Sequence, residues 1–323
     1  MRVCVTGGAG YIGSHAVKML KKDGHQVTVV DNLSTGYIDA VDQGVSFYEI
    51  ATHNYEGLID IFKRHDIDAV MHFAAFSLVG ESVKNPLKYY ANNVEGTRAL
   101  LSAMQYCNIN MLIFSSTAAV YGSQPKQPID ESMVEQPENP YGETKLVIEK
   151  MLKWAEKSFK IRYVTLRYFN VAGAYFDNSI GENHNPETHL IPNVIKSALS
   201  NHASLTVYGN DYPTKDGTAI RDYIHVEDLV AAHIKALHYL KENKPSQIIN
   251  LGSGSGYSVL DVIKTTEHVI NHPLKYTINP RRDGDPSVLI ACNKKAKAVL
   301  NWEPTKTLTD MIESAYKYYK KHR

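Results

Sequence analysis

The 323-residue chain predicts an α/β fold, a doubly wound parallel sheet joined to a smaller α/β substrate domain. Three observations predict it. Short apolar runs without strict alternation recur along the first half, as in strands covered on both faces. Amphipathic stretches separate them, giving strand–helix–strand units of about 30 residues and therefore right-handed crossovers. The first run ends directly in a glycine-rich loop that opens a helix.

The elements follow in order. Arg2–Thr6, Gln26–Asp31, Ala69–Ala74, Met111–Ser115 and Arg162–Phe169 read as buried strands. His15–Lys22, Asn93–Met104 and Tyr141–Phe159 read as the helices between them. Beyond Asn170 the rhythm changes, and 173–190 is rich in Gly, Asn, Pro and His without a period. A long irregular stretch in a compact protein is usually functional. Leu205–Tyr208, Ile248–Leu251 and Lys275–Ile278 follow as short elements. The expected division is a cofactor domain over 1–170 and a second domain over 171–323. Their boundary is interleaved, because Asp222–Leu240 (a returning segment near 210–240) reads as one more strand–helix unit of the sheet. The basic run 317–323 reads as a solvated helix end.

Composition narrows the function. The chain is 43% hydrophobic and 21% charged, ordinary for a soluble globular protein. Its 35 Lys+Arg nearly cancel 34 Asp+Glu, so no broad basic face for nucleic acid is expected. Three scattered cysteines without Cys-x-x-Cys argue against a disulfide scaffold or thiolate zinc, and fit a reducing compartment. Neither a signal peptide nor a membrane span is expected, and the expected location is the cytoplasm.

Gly7, Gly10 and Gly13 are spaced G-x-x-G-x-x-G at the end of the first strand. Glycine lets the strand turn tightly and the backbone approach a pyrophosphate, which meets the amide groups and dipole of the helix N-terminus. The second strand ends at Asp31, whose carboxylate suits an adenosine ribose and disfavours a 2′-phosphate. A Rossmann-type domain binding NAD is the reading of this pair.

Asn139 and Pro140 are an N-cap and first position for a helix that carries Tyr141 and Lys145 on one face. A fixed ammonium, and a cationic nicotinamide, would lower the phenol's pKa and make it a base for a sugar or alcohol hydroxyl. Tyr-x-x-x-Lys is a cheap match and recurs at Tyr316…Lys320, which reads as structural. Tyr141 is set apart by Ser115-Ser116-Thr117, hydroxyls at a strand's carboxyl end, where open α/β sheets bind ligands.

With these residues on the page, the chain resembles the extended short-chain dehydrogenase/reductase family, and within it the nucleotide-sugar 4-epimerases. The resemblance runs through GGAGYIGSHA, VVDNLSTG, MHFAA, VGES, PLKYYANNV, FSSTAAVYG, NPYGETKL, RYFNVAGA and YGNDYPTKDGTAIRDYIHVEDL to the closing LNW. It implies interconversion of UDP-glucose and UDP-galactose through a 4-keto sugar and retained NAD. Tyr141 would take the 4-hydroxyl proton, Lys145 would lower its pKa and hold the nicotinamide ribose, and Thr117 would hold the 4-oxygen. Tyr11, Ile12, Asn32, Phe73, Ala74, Asn92, Ser115 and Tyr168 would join Gly7, Gly10, Gly13 and Asp31 around the cofactor. Asn170, His189, Leu190, Tyr208, Arg221, Arg282, Asp285 and Leu289 would hold the UDP-sugar, the arginines by forked contacts to the diphosphate. The resemblance also implies a homodimer through helices 93–104 and 141–159. Met151, Trp154 and Phe159 on the second read as core or helix-partner packing.

Several positions depart from the family pattern. Ala51 stands where most members place an acid against adenine, which implies weaker cofactor binding. Ser77 replaces a lysine, His189 stands for Asn, and Thr117 stands where many have Ser. Leu289 replaces a large tyrosine beside the sugar's C2 substituent, which implies turnover of UDP-N-acetylglucosamine and its galacto epimer. A 4,6-dehydratase would need acids where Thr117 and Ala118 stand. A UDP-hexuronate 4-epimerase and a catalytically silent NAD-binding regulator remain the alternatives. No metal is expected. Glu182, His184, Glu187 and His189 form the best cluster, but it lacks a zinc-type spacing such as H-E-x-x-H.

Overall fold

β-Branched and aliphatic residues fill the strands that carry the site. The computed structural model describes residues 1–200, 205–282 and 285–322; Arg323, in the basic C-terminal run, lies outside them. The strands are β1 (Arg2–Thr6), β2 (Gln26–Asp31), β3 (Ser46–Glu49), β4 (Ala69–His72), β5 (Met111–Thr117), β6 (Arg162–Tyr168), β7 (Asn170–Ala172), β8 (Leu205–Tyr208), β9 (Ile220–His225), β10 (Gln247–Leu251), β11 (Gly256–Ser258), β12 (Tyr276–Asn279) and β13 (Val288–Leu289). Seven of them make one parallel sheet in the order β10-β6-β5-β4-β1-β2-β3. The order reverses between β1 and β4, which opens a crevice at the carboxyl ends of those two strands.

Each face of the sheet buries its own core. Ala16, Val17 and Leu20 of helix Tyr11–Lys22 and Leu229 to Leu240 of helix Val226–Lys241 pack on one face. Leu58 and Phe62, Leu100 and Met104, and Ile148 and Leu152, from helices Tyr55–Arg64, Gly96–Tyr106 and Pro140–Phe159, pack on the other. A third core joins helices Leu190–Leu199, Val259–Ile270 and Leu308–Lys321 over a small sheet in which β9 pairs with β7, β11 and β13. β8 and β12 form a separate parallel pair.

Residues 222–240, expected to return to the large sheet as a unit, are divided between the two parts. Helix Val226–Lys241 packs on the large sheet, whereas β9 belongs to the small one. The seventh strand is β10, in register with β6 from Gln247↔Val164 to Leu251↔Tyr168. That pairing joins residues more than 80 positions apart, and no local pattern reports it. The helix expected to start at Asn93 is preceded by a wide turn over Tyr90–Glu95 and starts at Gly96. The Asn93 side chain explains the break. It accepts from the Phe76 amide at 2.9 Å and donates to the Phe76 carbonyl and to Thr144, tying the turn to two other segments.

Candidate active site

The glycine loop is built so that no side chain blocks the crevice. Gly7 has φ +76°, and a Cβ there would lie 2.5 Å from the Ala74 amide nitrogen after β4. A Cβ on Gly13 would lie 2.0 Å from the Gly7 carbonyl oxygen, so this glycine lets the helix seat on the loop. No side chain caps the helix at Gly10, which leaves its first amides available to an anion. Asp31 is buried at the end of β2. One oxygen accepts from the Ala9 amide at 3.0 Å and the other from Leu33 at 2.8 Å, which locks the carboxylate beside the loop.

A continuous cavity runs from this loop to β7 and β9. Of the residues expected around a cofactor, Gly7, Gly10, Tyr11, Ile12, Gly13, Asp31, Asn32, Phe73, Ala74, Asn92, Tyr141, Lys145 and Tyr168 all line it. Ser115 stands one layer behind. Its hydroxyl is 2.8 Å from the Tyr168 phenol, and its carbonyl accepts from Lys145 Nζ at 2.8 Å. Ala51 lines the cavity between Ile50 and Thr52, so an acid at this position would have faced into it.

Tyr141 and Lys145 come from a helix whose start is fixed locally. Asn139 accepts from the Gly142 amide at 2.9 Å, and Pro140 occupies the first position. The i, i+4, i+8 row continues to Glu149, which is fully buried and accepts from Ser116 at 2.6 Å and from Arg167. Burial pushes the Tyr141 phenol up to about 12, against a hydrogen bond with Thr117 that favours its anion. Burial pushes Lys145 down to about 7, against the attraction of Glu149. The expected lowering of the phenol's pKa by Lys145 is therefore not found within the protein. Desolvation penalises the charged form of both groups, and the amine is bonded to the Ser115 carbonyl.

The residues expected to hold a sugar nucleotide divide into two groups. Thr117, Asn170, His189 and Leu190 line the cavity. Tyr208, Arg221, Arg282, Asp285 and Leu289 do not; Arg221, Asp285 and Leu289 gather around β9 and β13, and Tyr208 ends β8. Arg282 stacks 4.1 Å over the Tyr208 ring, and Arg221 lies 3.5 Å from Asp285 and donates to the Pro286 carbonyl at 2.8 Å. Asp283 and Gly284 between them lie outside the described residues. The groups are linked through β9, where Arg221 and Tyr223 share a face and Tyr223 reaches the cavity opposite Asn170. Leu289 pairs with Arg221 in register and, like the cavity-lining Phe169, packs against the small core of Val120, Tyr121, Ile129 and Leu146.

Residue-by-residue reading missed the groups that hold this wall. Asp222 is fully buried and accepts from the Ser253 amide and hydroxyl, the Gly254 amide and the Ala291 amide, at 2.7 to 3.0 Å. Burial pushes it up to about 6, against those four bonds. Glu182 and His184, visible in the sequence only as a cluster without a metal spacing, also line the cavity. Burial works against the charge of His184, yet Glu182 and Glu187 lift it to about 9. Asp222 lies within the quoted YGNDYPTKDGTAIRDYIHVEDL stretch, but nothing local marks it as a hub. Tyr316 lies on the C-terminal helix against the third core, away from the cavity.

On the outer face of helix Pro140–Phe159, Trp154 is 67% and Phe159 49% exposed, while Met151 packs against the core below. Trp154 and Phe159 are thus not core residues of the single chain.

Residues 3–252 match the NAD dependent epimerase/dehydratase family. Over all 323 residues the chain is 51% identical to a UDP-glucose 4-epimerase of Lactobacillus helveticus, covering 98% of that protein. A crystal structure of a UDP-glucose 4-epimerase superposes with a TM-score of 0.97 at 48% identity, covering 99% of this chain and 98% of that one. The UDP-glucose-4-epimerase of Stenotrophomonas maltophila, with bound NAD and formylated UDP-arabinopyranose, also gives 0.97, at 40% identity over 100% of this chain and 98% of that one.

Proposed function

The chain belongs to the NAD dependent epimerase/dehydratase family, within the extended short-chain dehydrogenases/reductases, and we propose that it interconverts UDP-glucose and UDP-galactose at C4. The observation that carries this reading is the meeting of Thr117, Tyr141 and Lys145 at the carboxyl end of β5, on the wall of the cavity that also contains the glycine loop and Asp31. The NAD fit rests on the loop itself. Glycines stand where a Cβ would collide, and a buried carboxylate stands where a ribose would need an acceptor.

The residues from Gly7 to Gly13 and Asp31 would hold NAD⁺, which when bound would supply a hydride acceptor and a positive charge. Tyr141 takes the proton of the 4-hydroxyl and returns it at the end of the cycle. Thr117 holds the same oxygen and stabilises the phenolate by its hydrogen bond. Lys145 stands one helical turn away and neutralises the phenolate once its amine is protonated. Inverting C4 requires the 4-keto sugar to present its other face, while Arg221, Arg282 and Tyr208 keep the nucleotide in place. Leu289 leaves room beside C2, so UDP-N-acetylglucosamine and its galacto epimer are also substrates. Two copies pair through the face that exposes Trp154 and Phe159, and the enzyme works in the cytoplasm, where Cys4, Cys107 and Cys292 stay free thiols.

The deciding experiment is a coupled assay with UDP-galactose, run without and with added NAD, on the wild type and on Tyr141→Phe. Formation of UDP-glucose by the wild type and its loss in the variant is expected. Absence of turnover under both conditions would overturn the reading. Sedimentation of wild type and Trp154→Glu tests the pairing, with a monomeric wild type as the contrary result.

A further inference from the structure

The loop 173–190 carries a polar cluster that the proposed proton and hydride transfer does not use, although Glu182, His184 and the expected substrate residue His189 line the cavity. Glu182, His184, Glu187 and His189 each offer one donor atom, and the four atoms lie within 4.8 Å of one another. His184 Nδ1 is 3.2 Å from Glu182 Oε1 and 3.9 Å from Glu187 Oε1. His189 Nδ1 is 3.9 Å from Glu187 Oε1 and in direct contact with Glu182 Oε1. Four N and O ligands at zinc distances stand about 3.3 Å apart on the edges of a tetrahedron. The observed separations bracket that value.

We propose that these four side chains form a structural binding site for a divalent cation of the zinc class in the wall of the cavity, distinct from the proposed proton- and hydride-transfer residues Thr117, Tyr141 and Lys145. The donor set supports it, since two imidazoles and two carboxylates suit zinc. The burial supports it as well. The carboxylate side chains are only 2% and 5% exposed, while the imidazoles stand open at 29% and 48%. Among the described residues one lysine, Lys196 at 3.7 Å from Glu187, is the only permanent cation paired with either carboxylate; the other partners are the two imidazoles, which a bound dication would meet as neutral ligands. The outer contacts orient the ligands in the manner of a metal's supporting shell. Glu187 Oε1 accepts from the Thr188 and His189 amides at 2.9 and 3.0 Å, Tyr319 donates to the Glu182 carbonyl at 2.7 Å, and the Tyr11 ring meets His184 edge-on.

A cation here would tie the irregular loop to His189, the residue that precedes helix Leu190–Leu199. It would thus fix the side of the cavity formed by Leu190, Ile191 and Pro192. The E-x-H-x-x-E-x-H spacing belongs to a loop, which is why helix-based metal spacings do not find it.

The test uses the full-length protein with NAD and UDP present, stripped by chelator and dialysed, then titrated with Zn²⁺ and separately with Co²⁺. One equivalent of Zn²⁺ bound by calorimetry, a rise in Tm, and the intense visible absorption of tetrahedral Co²⁺ are expected. His184→Gln and Glu187→Gln should lose all three while keeping the wild-type circular dichroism. His238→Gln should keep them; it removes the other small cluster, Asp23, His25 and His238, which offers three donors. Binding that is absent from the wild type, or that persists in both His184→Gln and Glu187→Gln, overturns the proposal. If both those variants misfold, octahedral Co²⁺ absorption in the wild type does the same.

Discussion

The two walls of the cavity are built on different principles. The wall with Thr117, Tyr141 and Lys145 is made of a strand and a helix packed on the large sheet. Backbone hydrogen bonds and buried aliphatic side chains set most of its geometry, with one buried ion pair, Glu149 with Arg167, behind them. The opposite wall, from β7, the 173–190 loop, β9 and the segment around β13, contains little regular structure. Its shape depends on buried polar hubs, chiefly Asp222 and the Glu182–Glu187 pair. Apolar packing tolerates small volume changes, whereas a buried polar hub orphans several partners when one residue is lost. The first wall therefore suits chemistry that needs fixed distances, and the second suits a ligand that must turn.

The comparison can be broken most sharply at Tyr141. Tyr141→Phe removes one hydroxyl from the packed wall, so turnover should fall by about 10²–10⁴. NAD binding and Tm should stay near wild type; a comparable collapse in Tm would mean that the phenol serves the fold rather than the chemistry. Asp222→Ala attacks the other wall. It orphans three backbone amides and a hydroxyl, and should cost about 3 kcal/mol in urea unfolding while KM rises more than kcat falls. An unchanged urea midpoint would show that the loop wall does not depend on this hub.

Acid acts with opposite signs on two sets of buried groups. Burial drives His15 and His72 down to about 3 and His233 to about 4 on the cofactor side. A histidine held neutral gives its full stabilisation above the unfolded pKa near 6.5 and loses it as pH falls toward the folded value. At pH 5 each loses about 2 kcal/mol. Asp222, raised to about 6, runs the other way. Its folded form prefers the proton, so this contribution is present at low pH and is lost as pH rises through 6. Net acid destabilisation between pH 7 and 5 is expected, and His233→Gln should flatten that slope by about 2 kcal/mol. A slope unchanged in the variant would place the acid sensitivity elsewhere.

The smallest expected effect concerns the sugar's C2 group. Leu289→Tyr should lower the ratio of kcat/KM for UDP-N-acetylglucosamine over UDP-glucose by about tenfold. Wild-type protein that turns over UDP-galactose well and neither acetamido sugar would dispose of the roomy-pocket idea before any variant is made.

The sequence by itself determined the elements whose information is local. The glycine spacing, Asp31 at the end of β2, the Asn139–Pro140 helix start and the one-turn separation of Tyr141 and Lys145 all lie within a few residues of one another or of a strand end. Apolar runs marked β1, β2, β4, β5 and β6 for the same reason. Only the tertiary structure decided that β10 closes the large sheet, that β9 joins the small one, and that Asp222 binds segments 31 to 69 residues away. It also decided the balance of charge at Tyr141 and Lys145, because desolvation depends on everything packed around a group and not on its neighbours in sequence. The Glu182–His184–Glu187–His189 cluster shows both halves of this division. Its residues stand in plain view in the sequence, yet only a folded loop brings their four donor atoms within 4.8 Å of one another.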